Sequence, residues 1–203
     1  MKTAAAIRKK IESLPLGQPF AVTELLHLGT RAAVDQELYR LTKSGEISRV
    51  CRGVYVKPEE NRYVGKMMPS VQEVAKTKAN ALGVKIGISG AEAANQMGFT
   101  TQVPMVPVFY TNGNPASFKI GNLPVRFKKV HPKQLQHAGT RLGTAIAALW
   151  YLGEENANEE AISRIEQQLS EEEFHQLLKS AGTLPGWLAS RLYLYGKGDQ
   201  HVA

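Results

Sequence analysis

Apolar residues recur at helical spacing from the start of the chain. Ala4, Ile7, Ile11 and Leu14 lie three or four positions apart, as along one face of an α-helix. A first helix is therefore expected over residues 3–13, with Thr3 as its cap and Pro15 and Gly17 as its stop. A short second helix is expected over Thr23–Leu28, punctuated by Gly29, and a third from Thr30 to Gly45, with Val34, Leu38 and Leu41 on one face. The pattern then changes to period two. EISRV and GVYVK read as two strands joined through Cys51-Arg52-Gly53, and Pro58 with Glu59-Glu60-Asn61 reads as the exit from this unit.

Beyond that exit, Val71 to Leu82 has the composition of a helix, and Ser89-Gly90 introduces another short one, AEAANQMG. The stretch TTQVPMVPVFYTNGNPASFKIGNLPVRFKKV is rich in β-branched and aromatic residues and in the turn pairs Asn112-Gly113, Asn114-Pro115 and Gly121-Asn122. The last pair suits a hairpin between SFKI and PVRFKKV, with Pro124 at a strand end or on an edge. From Thr140 onward the chain reads as helices: TRLGTAIAALWYLG, NEEAISRIEQQL, SEEEFHQLLKSAG and, after Pro185, GWLASRLYLYG. Ser170 and Glu173 have the spacing of a capping box, and the final GKGDQHVA is expected to fray. The fold class is thus α+β. A three-helix unit with a hairpin over residues 1–65 is followed by a mixed α/β domain over 66–203, β-containing at 66–135 and helical at 140–195.

Composition narrows the function classes. With 43% apolar residues in 203, a packed core is expected. No apolar run approaches the roughly 20 residues of a membrane helix, and charges interrupt the N-terminal apolar positions, unlike a signal peptide. The lone Cys51 rules out an intrachain disulfide and a thiolate-built zinc site. The expected compartment is the cytoplasm. Net charge is +7, distributed as +5 over residues 1–66, +6 over 67–140 and −4 over 141–203. A basic front and an acidic tail point to a polyanionic partner for the front, provided the charge is concentrated.

The order helix, short helix, glycine turn, helix, basic hairpin is that of a winged helix-turn-helix. In the third helix Val34, Leu38 and Leu41 fall within about 60° of arc at 100° per residue. Opposite them lie Ala32, Gln36, Tyr39 and Lys43, with Arg40 at the flank and Arg31 in the first turn. Arg pairs with guanine edges and Gln with adenine, and a small residue lets a helix approach the major groove. Asp35, at the edge of this face, would accept from cytosine or restrain non-specific binding. Arg49, Arg52 and Lys57 make the hairpin basic, and an arginine at its tip suits phosphate or a narrow minor groove. The expected DNA-contacting set is Arg31, Gln36, Tyr39, Arg40, Lys43, Arg49 and Arg52. Cys51, between two arginines, is expected to pack inward as a small apolar group rather than to act as a redox switch. In a regular strand Arg49 and Cys51 would share a face, so the pattern must break near Gly53 for both arginines to reach DNA.

The run from Phe20 through TELLHLGTRAAVDQELYRLTKSGEISRVCRGVYVKP resembles the N-terminal winged helix of the AbiE-type antitoxins of type IV toxin-antitoxin (abortive infection) systems. ISGAEAANQMGFTTQVP, FYTNG and the hairpin ending in RFKKV are similar to that family's second domain. The resemblance implies an antitoxin with two activities. It would repress its own operon by binding promoter repeats in double-stranded DNA. It would also counteract a nucleotidyltransferase-like toxin through its C-terminal domain, without requiring a stable complex.

Enzymatic chemistry finds little foothold, and no enzyme, cofactor or metal is expected. No GxxxxGK[ST], GxSxG or HExxH motif occurs. His27, His131, His137, His175 and His201 are scattered, and only Glu73 and Glu92 are acidic in the middle stretch. The alternative is an RNA-binding factor or an enzyme using a basic middle domain, built on Lys76, Lys78, Lys119, Arg126, Lys128 and Lys129, with the winged helix as a tether.

Overall fold

Helix α1 (Lys2–Glu12) buries Ile7 and Ile11 against α2 (Arg31–Ser44), which contributes Val34, Leu38 and Leu41 to the same cluster. The computed structural model describes residues 2–61 and 65–198. Because α1 begins at Lys2, Thr3 lies inside the helix and not at its cap. Its side chain instead lies so close to Gly29 that a Cβ there would collide with it. Between the helices the chain forms a strand, β1 (Pro19–Ala21), and a 3₁₀ helix, Val22–Leu28, where an α-helical turn was expected. The Glu24 carboxylate accepts from the Ala21 N–H at 2.7 Å and so holds the entry to that turn. Thr30 caps α2 through its hydroxyl, which accepts from the Ala33 N–H, and Gly45 ends the helix at φ 82°.

β2 (Ser48–Cys51) and β3 (Val54–Val56) follow, and the three strands form an antiparallel sheet in the order β1-β3-β2. Its two faces are both covered. Phe20 and Tyr55 stack on the helical side, with centroids 6.1 Å apart. On the other side Val54 and Val56 pack with Val50, Cys51 and Val74, the last from α3 (Val71–Ala81), and with Phe118 and Ile120. A short backbone hairpin, β4 (Glu59–Asn61) with β5 (Gly65–Met67), precedes α3.

The chain divides into two compact units, residues 1–84 with 117–125, and residues 85–116 with 126–203. This is not the division after residue 65 that the sequence suggests. α3, β8 (Ala116–Ile120) from Ser117 on, and the start of β9 (Leu123–Lys129) group with the N-terminal elements because they cover the open face of the first sheet. Gly121-Asn122 makes the expected turn between β8 and β9, and Pro124 sits near the start of β9.

In the second unit β6 (Ile86–Ile88) runs antiparallel to β7 (Val108–Thr111), and β7 parallel to the end of β9, from Val108↔Arg126 to Thr111↔Lys129. α4 (Gly90–Gln96) packs on α5 (Arg141–Asn156), where Gly90 lies against Tyr151. Leu142, Ile146 and Leu149 of α5 form the centre of one large cluster. α6 (Glu159–Gln168), α7 (Glu171–Ser180) and α8 (Gly186–Gly198) close around it with Ile162, Ile165, Leu177, Leu188 and Leu192. Each such fully buried Leu or Ile stabilises the fold by about 2 kcal/mol. Gly153, at φ 72°, breaks α5 near its end. The Ser170–Glu173 capping box is present. Of GKGDQHVA, the first three residues belong to α8, and the rest, including His201, lies outside the described residues. The protein is α+β. No helix among the described residues is long and apolar enough to cross a membrane.

Candidate nucleic-acid interface

The first unit carries a groove of about 430 Å³ between one flank of α2 and the β2–β3 hairpin. Arg31, Asp35, Tyr39 and Thr42 form the helical wall, and Arg49, Arg52, Gly53 and Tyr55 the hairpin wall, with Val22 completing the lining. On α2 these four wall residues span about 80° of arc at 100° per residue, beside the buried stripe. Gln36, Arg40 and Lys43 lie further around the helix, exposed but outside the groove. All seven residues singled out from the sequence are exposed, and four of them, Arg31, Tyr39, Arg49 and Arg52, meet in this one depression.

A β-bulge brings the two hairpin arginines together. Arg49 opposes Tyr55 and Cys51 opposes Val54, so Val50 is an extra residue in β2. The break in alternation that the sequence reading requires near Gly53 lies at Val50, before the turn and not at it. Val50 and Cys51 are both buried, which leaves Arg49 and Arg52 both exposed. Gly53, at φ 80°, closes the two-residue turn that a side chain would strain. Lys78 of α3 holds this turn from behind by donating from Nζ to the Arg52 carbonyl at 2.6 Å. Neither the Arg49 nor the Arg52 side chain makes a hydrogen bond or ion pair with another described residue. Burial pushes the Cys51 thiol above its ordinary value, against the opposing charges of Lys78 and Arg49. The thiol is therefore protonated and enclosed.

Two charged side chains of α2 are committed elsewhere. Glu37, only 2% exposed, accepts from Arg8 Nε at 2.6 Å and from Arg40 Nη1 at 3.4 Å. Arg40, expected at the flank of a nucleic-acid surface, thus also neutralises a buried carboxylate that ties α1 to α2. Arg31 Nε donates to Asp35 Oδ2 at 2.8 Å along the groove wall. The Lys43 ammonium stands 5.9 Å from the centre of the Tyr39 ring, within cation–π range.

The groove residues that sequence reasoning missed are Val22, Thr42 and Tyr55, and Lys78, assigned from the sequence to a basic middle domain, stands behind the turn. Thr42 follows Asp35 by seven positions and Tyr39 by three, a spacing that already put it on their flank. The basic residues of the middle stretch do not gather in one unit. Lys76, Lys78 and Lys119 belong to the first and Arg126, Lys128 and Lys129 to the second. Among the described residues no group of three His, Cys, Asp or Glu side chains is placed to hold a metal ion.

Comparison with protein families matches residues 6–177, which takes in the groove and parts of both units. The chain belongs to DUF6088, a family of unknown function. No curated protein and no solved structure matches it. The DUF6088 match begins one residue before Ile7 of α1 and ends at Leu177 of α7, so every groove residue and Lys78 lie within it.

Proposed function

We propose that the first unit is a winged helix-turn-helix that binds double-stranded DNA, with α2 in the major groove and the β2–β3 turn as the wing. The observation that carries this reading is the groove between α2 and the hairpin, where Arg31, Arg49 and Arg52 converge. The β1-β3-β2 strand order, with β1 between the first two helices, supports reading the β2–β3 hairpin as a wing. Two guanidinium groups without a partner among the described residues favour phosphate and base edges, for which arginine geometry is suited. We further propose that the chain is a non-enzymatic antitoxin that represses its own operon and counteracts a nucleotidyltransferase-like toxin through the second unit. That part rests on the resemblance of the Phe20–Pro58 run and of the ISGAEAANQMG and FYTNG segments to AbiE-type antitoxins.

The test uses the intact chain. A labelled duplex from upstream of its own gene is titrated with wild type and with an Arg49→Ala, Arg52→Ala double variant. Each lost contact should cost on the order of 1 kcal/mol, so the double variant should bind roughly 10- to 30-fold more weakly. In cells making the toxin encoded beside it, the same variant should derepress a promoter reporter and still restore growth. Equal DNA affinity of the two proteins would refute the DNA reading. Failure of the wild type to restore growth would refute the antitoxin reading.

A further inference from the structure

The groove contains a side chain that opposes the attraction of a polyanion. Asp35 stands on its α2 wall with Oδ2 2.8 Å from Arg31 Nε. Both side chains are more than half in solvent or at its edge, at 59% for Arg31 and 50% for Asp35, and exposed pairs of this kind contribute little to folding. The other polar side chains of the lining are Arg49, Arg52, Tyr39, Tyr55 and Thr42, the last with its hydroxyl already donated to the Leu38 carbonyl at 2.7 Å, and Val22 and Gly53 complete it. A concave surface with guanidinium and hydroxyl donors on two facing walls fits the oxygens of a phosphodiester strand better than the flat edge of a base. A carboxylate paired with one of those guanidinium groups competes with an entering phosphate for it.

We infer that this groove seats one sugar–phosphate strand of the duplex and that Asp35 is a brake on its affinity, acting through Arg31. The inference rests on the DNA reading above. In the free protein the Arg31 charge is offset by Asp35. A phosphate entering the groove must draw the guanidinium from the carboxylate or share it, and either way binding is weakened. Phosphate contacts carry no sequence information, so the brake acts on all duplexes alike. Discrimination falls to side chains further around α2, Gln36 and Lys43. Asp35 is thus a positioning residue for Arg31 and not a reader of bases.

The experiment is a double-mutant cycle on the full-length protein. Fluorescence anisotropy measures binding to a scrambled duplex and to the upstream duplex over a salt series. The proteins are wild type, Asp35→Asn, Arg31→Ala, the double variant and Asp35→Glu. Asp35→Asn should tighten binding to both duplexes by the same factor, roughly three- to tenfold at low salt, the scale of one charged contact in water. Arg31→Ala should weaken both and lower the slope of log K against log salt by about 0.9. On the Arg31→Ala background, Asp35→Asn should change affinity by less than about twofold, since additivity fails for residues in contact. Asp35→Glu should retain the weak wild-type binding. Thermal melts establish that each variant is folded.

The brake is overturned if Asp35→Asn binds no more tightly than wild type, or if its full gain persists without Arg31. It is also overturned if the gain differs between the two duplexes, which would make Asp35 a base contact. These outcomes leave the DNA reading standing. Wild-type protein that binds neither duplex at any salt would overturn both.

Discussion

The second unit directs arginines to its own backbone. Arg141 Nη2 donates to the Gln168 carbonyl at 2.7 Å, and Arg164 Nη1 to the Gly98 carbonyl at 3.0 Å, each bridging segments far apart in sequence. Gln168 does the same for the Met97 carbonyl. In the first unit the corresponding donors face outward. Arg49 and Arg52 line a groove without a carboxylate or carbonyl partner among the described residues, and Arg31 is tied only to Asp35. The lesson is that net charge is a coarse guide to a polyanion site. Residues 67–140 are the most basic stretch at +6, yet their cations are divided between two units. What distinguishes the groove is the convergence there of Arg31 with Arg49 and Arg52, the last two without a hydrogen bond or ion pair to another described residue.

If the units divide labour in this way, equal injuries to the two cores should have unequal consequences. Leu38→Ala and Leu149→Ala each empty a fully buried site and should cost about 2–5 kcal/mol. Denaturant unfolding should register both. DNA titration well below the unfolding transition should show a strong loss for Leu38→Ala and a change within about twofold for Leu149→Ala. Equal losses of DNA affinity in the two variants would break the comparison.

Within the first unit the comparison can be sharpened on a single helix. Glu37→Gln removes the buried carboxylate held by Arg8 and Arg40 and should destabilise the protein by about 1–3 kcal/mol in urea unfolding. Asp35→Asn, two positions earlier and solvent-exposed, should stay within about 0.5 kcal/mol. One acidic residue supports the fold and the other lines the groove. Comparable midpoint shifts for the two would remove that distinction.

The long helices were legible because periodicity accumulates over many residues. α2, α3 and the run from α5 to α8 fall where the apolar spacing puts them, and the Ser170–Glu173 cap was visible as a motif. β1 and β6 were not visible, because three residues carry no usable period and both strands owe their existence to partners distant in sequence. The grouping of α3 and residues 117–125 with the N-terminal elements depends on covering a sheet face, which local patterning does not reveal. The groove was half legible. The exposed face of α2 followed from the helix wheel, but the bulge at Val50 depends on pairing with β3. Glu37 could have been found: it follows Val34 by three and precedes Leu41 by four, so helical spacing already put it on the packed side.

A smaller effect concerns Cys51. Its folded-state pKa is raised by burial, so its contribution to stability is complete below the ordinary thiol value of 9.0 and is lost as the pH rises through the folded value. Wild type should therefore lose stability above that pH relative to Cys51→Ser, with no such difference near neutrality. Mild peroxide should leave DNA affinity unchanged in both, since the enclosed thiol is protonated. Loss of binding on oxidation in wild type alone would restore a redox role to the hairpin.

The central claim is that three guanidinium groups of the first unit meet DNA phosphate in one groove. The most direct measurement is the salt dependence of binding for wild type and an Arg31→Ala, Arg49→Ala, Arg52→Ala variant against one duplex. With about 0.9 counterions released per neutralised phosphate, the slope of log K against log salt should be shallower in the variant by roughly 2.7. A variant that binds with the wild-type slope would contradict the account, because the groove would then not be where the backbone lies.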